Sequence, residues 1–408
     1  MIPMDADPSQ RHDRGRSVTR RRRNTPPGEL VAILLAVGTL ASAFAVWVTL
    51  TSNQYGDFAV HYESMRAVWD GSDLYVTPSS TAGLRSRNPP HMLALMSPIG
   101  LLPIRWAMVA WLIITVAAMA VCVRLWASVL PRGWALLAFA LLFASVAGYG
   151  NVRFANQSWV TALAVTWAWR VWRDGKYAQA ATVLGMTASI KVFLLIFLPY
   201  LCWRRQWRAV GWFIAGGVAI TLAGVAVCGI DAYRSWIGTM QEQTWQGLPL
   251  NVSLLGTFTR TFETSSSGLA PLIDRPSWVL PLWVISSAAV AGFLWWRLRK
   301  RPDVDRDFAA LLTSMLLLSP SGWAYYLPVA AGPLAATATR GGSPLWWLCG
   351  VICGLLPYAA LSALQPHGLS TVTLASAYMW SSVFLLSATL LTPPIGEACV
   401  TPDGGQKG

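Results

Sequence analysis

The feature that most constrains this chain is a series of apolar runs, each about as long as a bilayer is thick. Four clear examples lie at residues 30–50, 104–123, 207–228 and 278–296. A helix needs roughly 20 residues to cross the hydrocarbon core, and helices satisfy their own backbone hydrogen bonds in lipid. Only 12% of the residues are charged, against about 25% in soluble domains. We therefore predict an all-α polytopic membrane protein.

The basic residues predict how the chain is oriented. Seven arginines precede the first apolar run, and most other basic residues lie in short loops between runs. Cytoplasmic loops are enriched in Lys and Arg, so the N-terminus is expected in the cytoplasm of a plasma-membrane protein. The net charge of +13 is thus explained by topology, and no nucleic-acid partner is expected. We expect a disordered basic tail at 1–28, a membrane domain at 29–393 and a cytoplasmic tail at 394–408.

Counting apolar runs from a cytoplasmic N-terminus predicts ten crossings and places both termini inside. It leaves two long external loops, at about 51–102 and 229–276, in which most polar residues without a topological role are found. An active site on the external face is therefore expected. The predicted crossings lie at about 30–50, 103–125, 134–150, 157–172, 209–229, 277–297, 307–319, 323–338, 344–363 and 371–392.

The segment 177–203 does not fit a single crossing, because it would place the basic sequence WRRQWR outside. Two half-length helices that turn near Lys191 would keep both flanking basic clusters in the cytoplasm. Such irregular backbone is allowed where it lines a cavity. A lysine within ASIKVFLLIF is costly unless it is paired, and phosphate is a suitable partner. A structural salt bridge is the competing interpretation.

The first external loop begins with DFAVHYESMRAVWD, which has the apolar spacing of an amphipathic helix over 58–70. Phe58, Tyr62, Met65 and Trp69 would share one face. Asp57 would be the N-cap of this helix. At the edge of a membrane a carboxylate can also have a raised pKa and act as a general base. The two roles are compatible.

Other external polar residues are weaker candidates, each with a structural alternative. His91 is either a proton shuttle or a polar contact, and Glu63 either faces an acceptor or is solvated. Arg153, Asn156 and Gln157 either satisfy helix ends or bind a hydroxyl-rich or phosphate ligand. Aromatic residues at a helix mouth are interface anchors or sugar-stacking platforms. The remaining candidates are Asn251 and Arg260 in the second loop, and Tyr325 and Tyr326 after SPSGWA.

The chain lacks three common signatures of nucleotide or metal sites. There is no Walker motif, no glycine-rich dinucleotide fingerprint and no DxD-type metal pair in a soluble domain. We therefore expect no metal, no cofactor and a donor that is not a nucleotide. An activated group carried by a lipid would reach an external site through the bilayer.

Several of these motifs together resemble glycosyltransferase family 87. The sequence DFAVHYESMRAVWDGSDLY followed by NPPHMLALMSPIGLLP is similar to the first-loop signature of that family. FANQSWV, the lysine in ASIKVFLLIFLPYLCWRRQWRA and NVSLLGTFTRTF resemble later family motifs in the same order. The resemblance covers about residues 30–340. The family includes actinobacterial polyprenol-phosphate-mannose mannosyltransferases and decaprenyl-phosphoarabinose arabinofuranosyltransferases.

The resemblance implies a GT-C fold and inverting sugar transfer from a polyprenyl-phosphate donor to a cell-envelope glycan or glycolipid. Asp57 would be the catalytic base, and Lys191, Arg260 and Arg153 would stabilise the leaving phosphate. The residues implied to contact sugar or acceptor are Tyr62, Glu63, His91, Asn156, Gln157, Asn251, Tyr325 and Tyr326.

Two departures from the family pattern leave the donor sugar open. NPP stands where the family usually has YPP, and SGWAYY lacks the acidic-His-His element of many mannosyltransferases. The Tyr-Tyr pair is similar to the arabinosyltransferase branch. Two other functions remain as alternatives: a transporter or flippase of a lipid-linked sugar, and a non-catalytic assembly subunit.

Overall fold

The computed structural model describes residues 26–52, 55, 57–75, 85–240, 246–264, 269–299 and 302–393. Both predicted tails lie almost entirely outside these ranges. Within them the protein is all-α, as predicted, and an isolated bridge between Asn251 and Trp323 is the one β-type pairing.

Eighteen α-helices follow one another along the described chain. The first nine are α1 (Gly28–Ser52), α2 (Asp57–Asp70), α3 (Pro90–Met96), α4 (Ile104–Ala127), α5 (Trp134–Ala144), α6 (Val146–Arg153), α7 (Ser158–Arg173), α8 (Tyr177–Ile190) and α9 (Phe197–Trp203). The others are α10 (Trp207–Met240), α11 (Leu254–Phe262), α12 (Val279–Leu298), α13 (Val304–Leu318), α14 (Ala331–Ala338), α15 (Pro344–Leu355), α16 (Tyr358–Ala363), α17 (Leu369–Thr373) and α18 (Ala377–Leu391).

Four helices of the described chain are long and apolar enough to cross a bilayer, namely α1, α4, α10 and the helix that runs from Pro276 through α12. There is a fifth spanning segment if α5 and α6, between which the chain bends by 59°, form one broken span. Several long apolar helices therefore indicate a membrane-spanning protein. The predicted count of ten crossings stays a prediction.

Several predicted helices are interrupted in the structure. The run 134–150 breaks at Ser145, whose extended backbone lets its hydroxyl accept the N–H of Ala147 and cap α6. The run 344–363 breaks before Pro357, because a residue that precedes proline avoids helical backbone. The helix predicted to end at 229 does break there, because Gly229 has non-helical backbone at φ 76° and ψ 165°, and a second helical stretch follows the kink to Met240. Glycine is the residue that tolerates this conformation.

The segment 177–203 breaks where the sequence predicts. Lys191 has an extended backbone at the end of α8, and a 3-10 turn over Val192–Ile196 leads into α9. Arg173, just before the segment, pairs with Asp305 of α13, and Arg204, just after it, pairs with Asp307 of the same helix turn. Both ends of the segment thus lie at one end of the structure, which a pair of half-length helices requires.

Buried ion pairs join four helices at this end. Arg204 donates to Asp307 at 2.8 Å, and the hydroxyl of Tyr200 donates to the same carboxylate at 2.7 Å. Arg340, beyond α14, donates to Asp303 at 2.6 Å. The aspartates of these pairs are buried, so the pairs are desolvated, and each charge depends on its partner for compensation.

At the other end, α2 packs onto α3 and α4. Phe58, Tyr62 and Met65 of α2 are buried against the methionines of α3 and α4, which confirms the predicted apolar face for these three. Trp69 is 54% exposed and instead donates its indole N–H to the carbonyl of Ser97. This packing fixes the first turn of α2 relative to the membrane helices.

We expect Asp307→Ala to destabilise the protein by about 3 kcal/mol, because a buried pair that loses one partner leaves an uncompensated charge. The measurement is the unfolding midpoint of purified protein in detergent. Asp231→Ala is the matched control, since its pair with Arg234 is largely exposed and such pairs contribute little. Equal midpoints for Asp307→Ala and the control would contradict the prediction.

Candidate active site

A cavity of about 800 Å³ lies where α2 and residues 85–88 meet the helix break at Lys191. Its lining comes from seven separate parts of the chain: the first turns of α2, residues 85–88, residues 154–156, residues 190–196, the end of α10, residues 248–250, and residues 315–326. Pockets of this size bind small ligands or the reacting parts of larger ones.

Asp57 lines the cavity from the first residue of α2. It is half-buried, and the protein around it removes most of its water. This burial raises the pKa of Asp57 from its usual 3.8 to about 6. Its carboxylate is therefore ionised near neutral pH yet basic enough to accept a proton.

His61 lies one helical turn after Asp57 and lines the same cavity. Its Nδ1 is 3.1 Å from the side-chain amide nitrogen of Asn88. Burial, together with the positive charge of Lys191, lowers the pKa of His61 to about 3. The imidazole is thus neutral at physiological pH.

Lys191 reaches the cavity because the helix ends there. Its ammonium donates to the side-chain carbonyl of Asn88 at 3.1 Å and lies 5.4 Å from the ring centroid of Tyr326. The amide dipole of Asn88 and the aromatic face of Tyr326 partly compensate this cation, but neither carries a full negative charge that would neutralise it. The cation remains available to an anionic ligand.

The cavity is rich in positive charge. Arg85, Arg87 and Lys191 line it, and Asp57 is the one carboxylate among its described lining residues. Trp323 and Tyr325 stack at 5.7 Å, and Tyr326 packs edge-on against Phe193. Most of the remaining lining is apolar: Val60, Phe154, Ile190, Val192, Leu195, Ile196, Trp236, Met240, Leu248, Leu250, Met315, Leu318 and Pro320, with Ser319 and Ser321 beside them.

The sequence model of glycosyltransferase family 87 matches residues 87–320. This stretch is more than half of the chain. The chain belongs to glycosyltransferase family 87. Membership indicates glycosyltransferase activity. The matched stretch contains Asn88 and Lys191, whereas Asp57 precedes it and Tyr325 follows it. Among curated proteins, no match was found.

Of the site residues predicted from the sequence, the structure brings five together around the cavity: Asp57, Asn156, Lys191, Tyr325 and Tyr326. Asn156 also has a structural task, because its side-chain oxygen accepts the N–H and hydroxyl of Ser158 at the start of α7. Their catalytic and binding roles stay predictions.

Arg260 and Asn251 lie behind the cavity rather than in its lining. The guanidinium of Arg260 is fully buried and donates to the carbonyls of Leu248 and Asn251. Burial lowers the pKa of Arg260 to about 9. The amide of Asn251 donates to the carbonyl of Pro320 at 3.1 Å. These contacts hold Leu248 and Leu250, which do line the cavity.

The other predicted residues also lie outside the lining. Tyr62 donates its hydroxyl to the carbonyl of Leu102, and Arg153 is exposed beside the ring of Phe154. Gln157 is buried, and its amide has no hydrogen-bond partner within the described chain. Glu63 is half-buried and outside the lining.

His91, which lies outside the cavity lining, links α3 to α8 and α10. Its Nδ1 is 3.0 Å from the hydroxyl of Tyr233, and its Nε2 is 3.3 Å from the hydroxyl of Ser189. Burial lowers the pKa of His91 to about 4. A side chain at Gly224 would collide with His91, so glycine there allows α3 and α10 to touch. These bonds are those of a polar contact, which is one of the two roles expected for His91, and the role of proton shuttle stays a prediction.

Sequence reasoning assigned no role to His61, Arg85, Arg87 or Asn88, all of which line the cavity. One signal for His61 was present: it lies four residues after Asp57, so both share a helix face. The arginines carried no such signal, because most of the other lining residues are distant from them in sequence.

We expect Asp57→Asn to make the fold more stable at pH 8, because it removes a charge that is costly to bury. A pKa raised from 3.8 to about 6 corresponds to roughly 3 kcal/mol at 1.36 kcal/mol per unit. The stabilisation should be complete above pH 6 and vanish below about pH 4, where the wild-type carboxyl is protonated whether the chain is folded or unfolded. The measurement is the unfolding midpoint against pH.

Asp70→Asn is the matched control for this measurement, because Asp70 is exposed at the end of the same helix. A destabilised Asp57→Asn variant at pH 8 would contradict the prediction.

Proposed function

We propose that the chain transfers a mannosyl or arabinofuranosyl group, with inversion, from a polyprenyl-phosphate donor to a cell-envelope glycan or glycolipid. The observation that carries this proposal is the cavity, in which one carboxylate of raised pKa lies with three cations. Family membership supplies the reaction class. The arrangement suits a reaction that removes one proton and releases one phosphate.

Asp57 is the base in the proposed reaction. It accepts the proton of an acceptor hydroxyl while that oxygen forms a bond to the anomeric carbon. The bond between the anomeric carbon and the phosphate oxygen breaks from the opposite side, and the electron pair leaves with polyprenyl phosphate. A base with a pKa near 6 is mostly ionised at neutral pH and can take this proton.

Lys191, Arg85 and Arg87 stabilise the phosphate as its negative charge develops. Cations that are already in position at such a charge lower the barrier without reorganisation. Arginine offers paired donors to phosphate oxygens, and lysine a point charge. Arg260 and Arg153 stay predictions as phosphate ligands, since neither lines the cavity.

The apolar lining suits the lipid part of the donor. Val192 and Leu195 are 48% and 43% exposed, and both line the cavity beside Lys191. A polyprenyl chain could therefore lie against them while its phosphate meets the cations. We place this site on the external face of the plasma membrane, with both termini in the cytoplasm and membrane lipids around the helices.

The sugar contacts proposed here are Asn156, Tyr325 and Tyr326. Aromatic faces bind the apolar faces of sugars, and amides bond their hydroxyls. The Tyr325–Tyr326 pair favours the arabinofuranosyl donor, on the resemblance alone.

The decisive experiment incubates purified protein, a mixed cell-envelope acceptor extract and either polyprenyl-phosphomannose or polyprenyl-phosphoarabinose. We expect one donor to be consumed with release of polyprenyl phosphate, and Asp57→Asn to slow this at least a hundredfold, as loss of a general base does. Asp70→Asn should retain the wild-type rate. A flippase would move either donor across vesicles intact, and that outcome would refute the transferase.

Lys191→Ala should weaken binding of a short-chain polyprenyl phosphate about tenfold or more, because a charge-assisted contact is lost. The measurement is the dissociation constant in detergent by isothermal titration. Lys176→Ala is the control, since Lys176 is exposed at the opposite end of α8. Unchanged affinity in Lys191→Ala would exclude a phosphate role for this lysine.

A further inference from the structure

Three polar side chains from distant parts of the chain form a hydrogen-bonded series at the cavity. Lys191 donates to the side-chain oxygen of Asn88, and the amide nitrogen of Asn88 lies 3.1 Å from Nδ1 of His61. The partners of Asn88 are 27 and 103 residues away in sequence. Through these two bonds, Asn88 links α2 to the helix break at Lys191.

The chemistry of Lys191 determines which way the amide of Asn88 faces. An ammonium group has only donors, so the atom that meets it must be the amide oxygen. The NH₂ group of Asn88 therefore faces His61, and it too has only donors. Nδ1 of His61 must then accept, which leaves the ring proton on Nε2.

This orientation also disfavours an imidazolium at His61. A charged ring would carry a proton on Nδ1 and set two donors against each other. The charged groups around the cavity, Lys191, Arg85 and Arg87, oppose a further positive charge, and Asp57 is the one carboxylate among the described lining residues. The low pKa of His61, caused by burial and by Lys191, agrees with this geometry.

Asn88 itself is held firmly. It is 4% exposed, and its carbonyl accepts the hydroxyl of Tyr75 at 2.7 Å. Its N–H donates to Ser86, and Pro89 and Pro90 restrict the backbone that follows. Its side chain therefore has a preset direction before any ligand enters.

We infer that Asn88 is a positioning residue that keeps His61 neutral with its proton on Nε2, so that His61 and Lys191 together donate to the phosphate of the donor. The phosphate part rests on the proposed function, whereas the tautomer of His61 does not. His61 is then a hydrogen-bond donor in the site and takes no part as a base. Asp57 is left as the one proton acceptor of the reaction.

The tautomer can be measured in full-length protein labelled with ¹⁵N-histidine, with His61→Gln to identify the signals. We expect Nδ1 of His61 to have the shift of an unprotonated ring nitrogen and Nε2 that of a proton-bearing one, unchanged from pH 8 to pH 5.5. Asn88→Asp should move the proton onto Nδ1, because a carboxylate accepts there. A wild-type His61 that titrates in this range, or that carries its proton on Nδ1, would overturn the inference.

Binding of short-chain polyprenyl phosphate tests the second half. Asn88→Asp should weaken it about tenfold, because the new carboxylate pairs with Lys191 and reorients His61. Gln179→Glu makes the same amide-to-carboxylate change on an exposed position of α8 and should bind as wild type does. Equal affinity in Asn88→Asp and wild type would overturn the phosphate role.

The two measurements separate the inference from the proposed function. If wild-type protein binds no polyprenyl phosphate and consumes no donor, the proposed function and the phosphate role fall, and the histidine signals still decide the tautomer. If donor is consumed while His61 titrates, the inference falls alone.

Discussion

A single cation within an apolar segment determines how this site is built. Lys191 cannot lie in a continuous lipid-facing helix without a partner. The chain ends α8 at Ile190, and the lysine emerges between two short helices with Asn88 and the ring of Tyr326 as neighbours. The helix break and the contacts with Asn88 and Tyr326 accommodate that charge at the edge of the cavity.

Much of the polar structure supports the cavity without lining it. Arg260 is fully buried on backbone carbonyls, and Asn251 joins the second loop to Pro320. Buried backbone carbonyls need hydrogen-bond donors. Arg260 and Asn251 supply such donors to irregular backbone, whose carbonyls are not paired within a helix. The lining residues therefore gain their positions from bonds made one layer behind them.

The sequence predicts the all-α class, the long apolar helices and the break at Lys191, because each follows from burying or exposing charge in lipid. The sequence also predicts Asp57 as a candidate site residue for a similar reason, because it is an acidic residue shortly after an apolar run. The breaks at Ser145 and before Pro357 were missed, since hydropathy does not register backbone geometry. One partner of Arg260 could not be predicted. Its guanidinium bonds Ser376, 116 residues away, and only the fold brings them together.

The acidic turn of α13 has a consequence for how such a chain is made. Arg173 and Arg204 pair with Asp305 and Asp307 once the bundle has formed. In the orientation we propose, these arginines act earlier, during insertion, because orientation depends on Lys and Arg and hardly on acidic residues. In that orientation, the same side chains first keep their loops in the cytoplasm and later fasten the helix ends together. Membrane insertion and the stability of the folded bundle then depend on the same two arginines at different times.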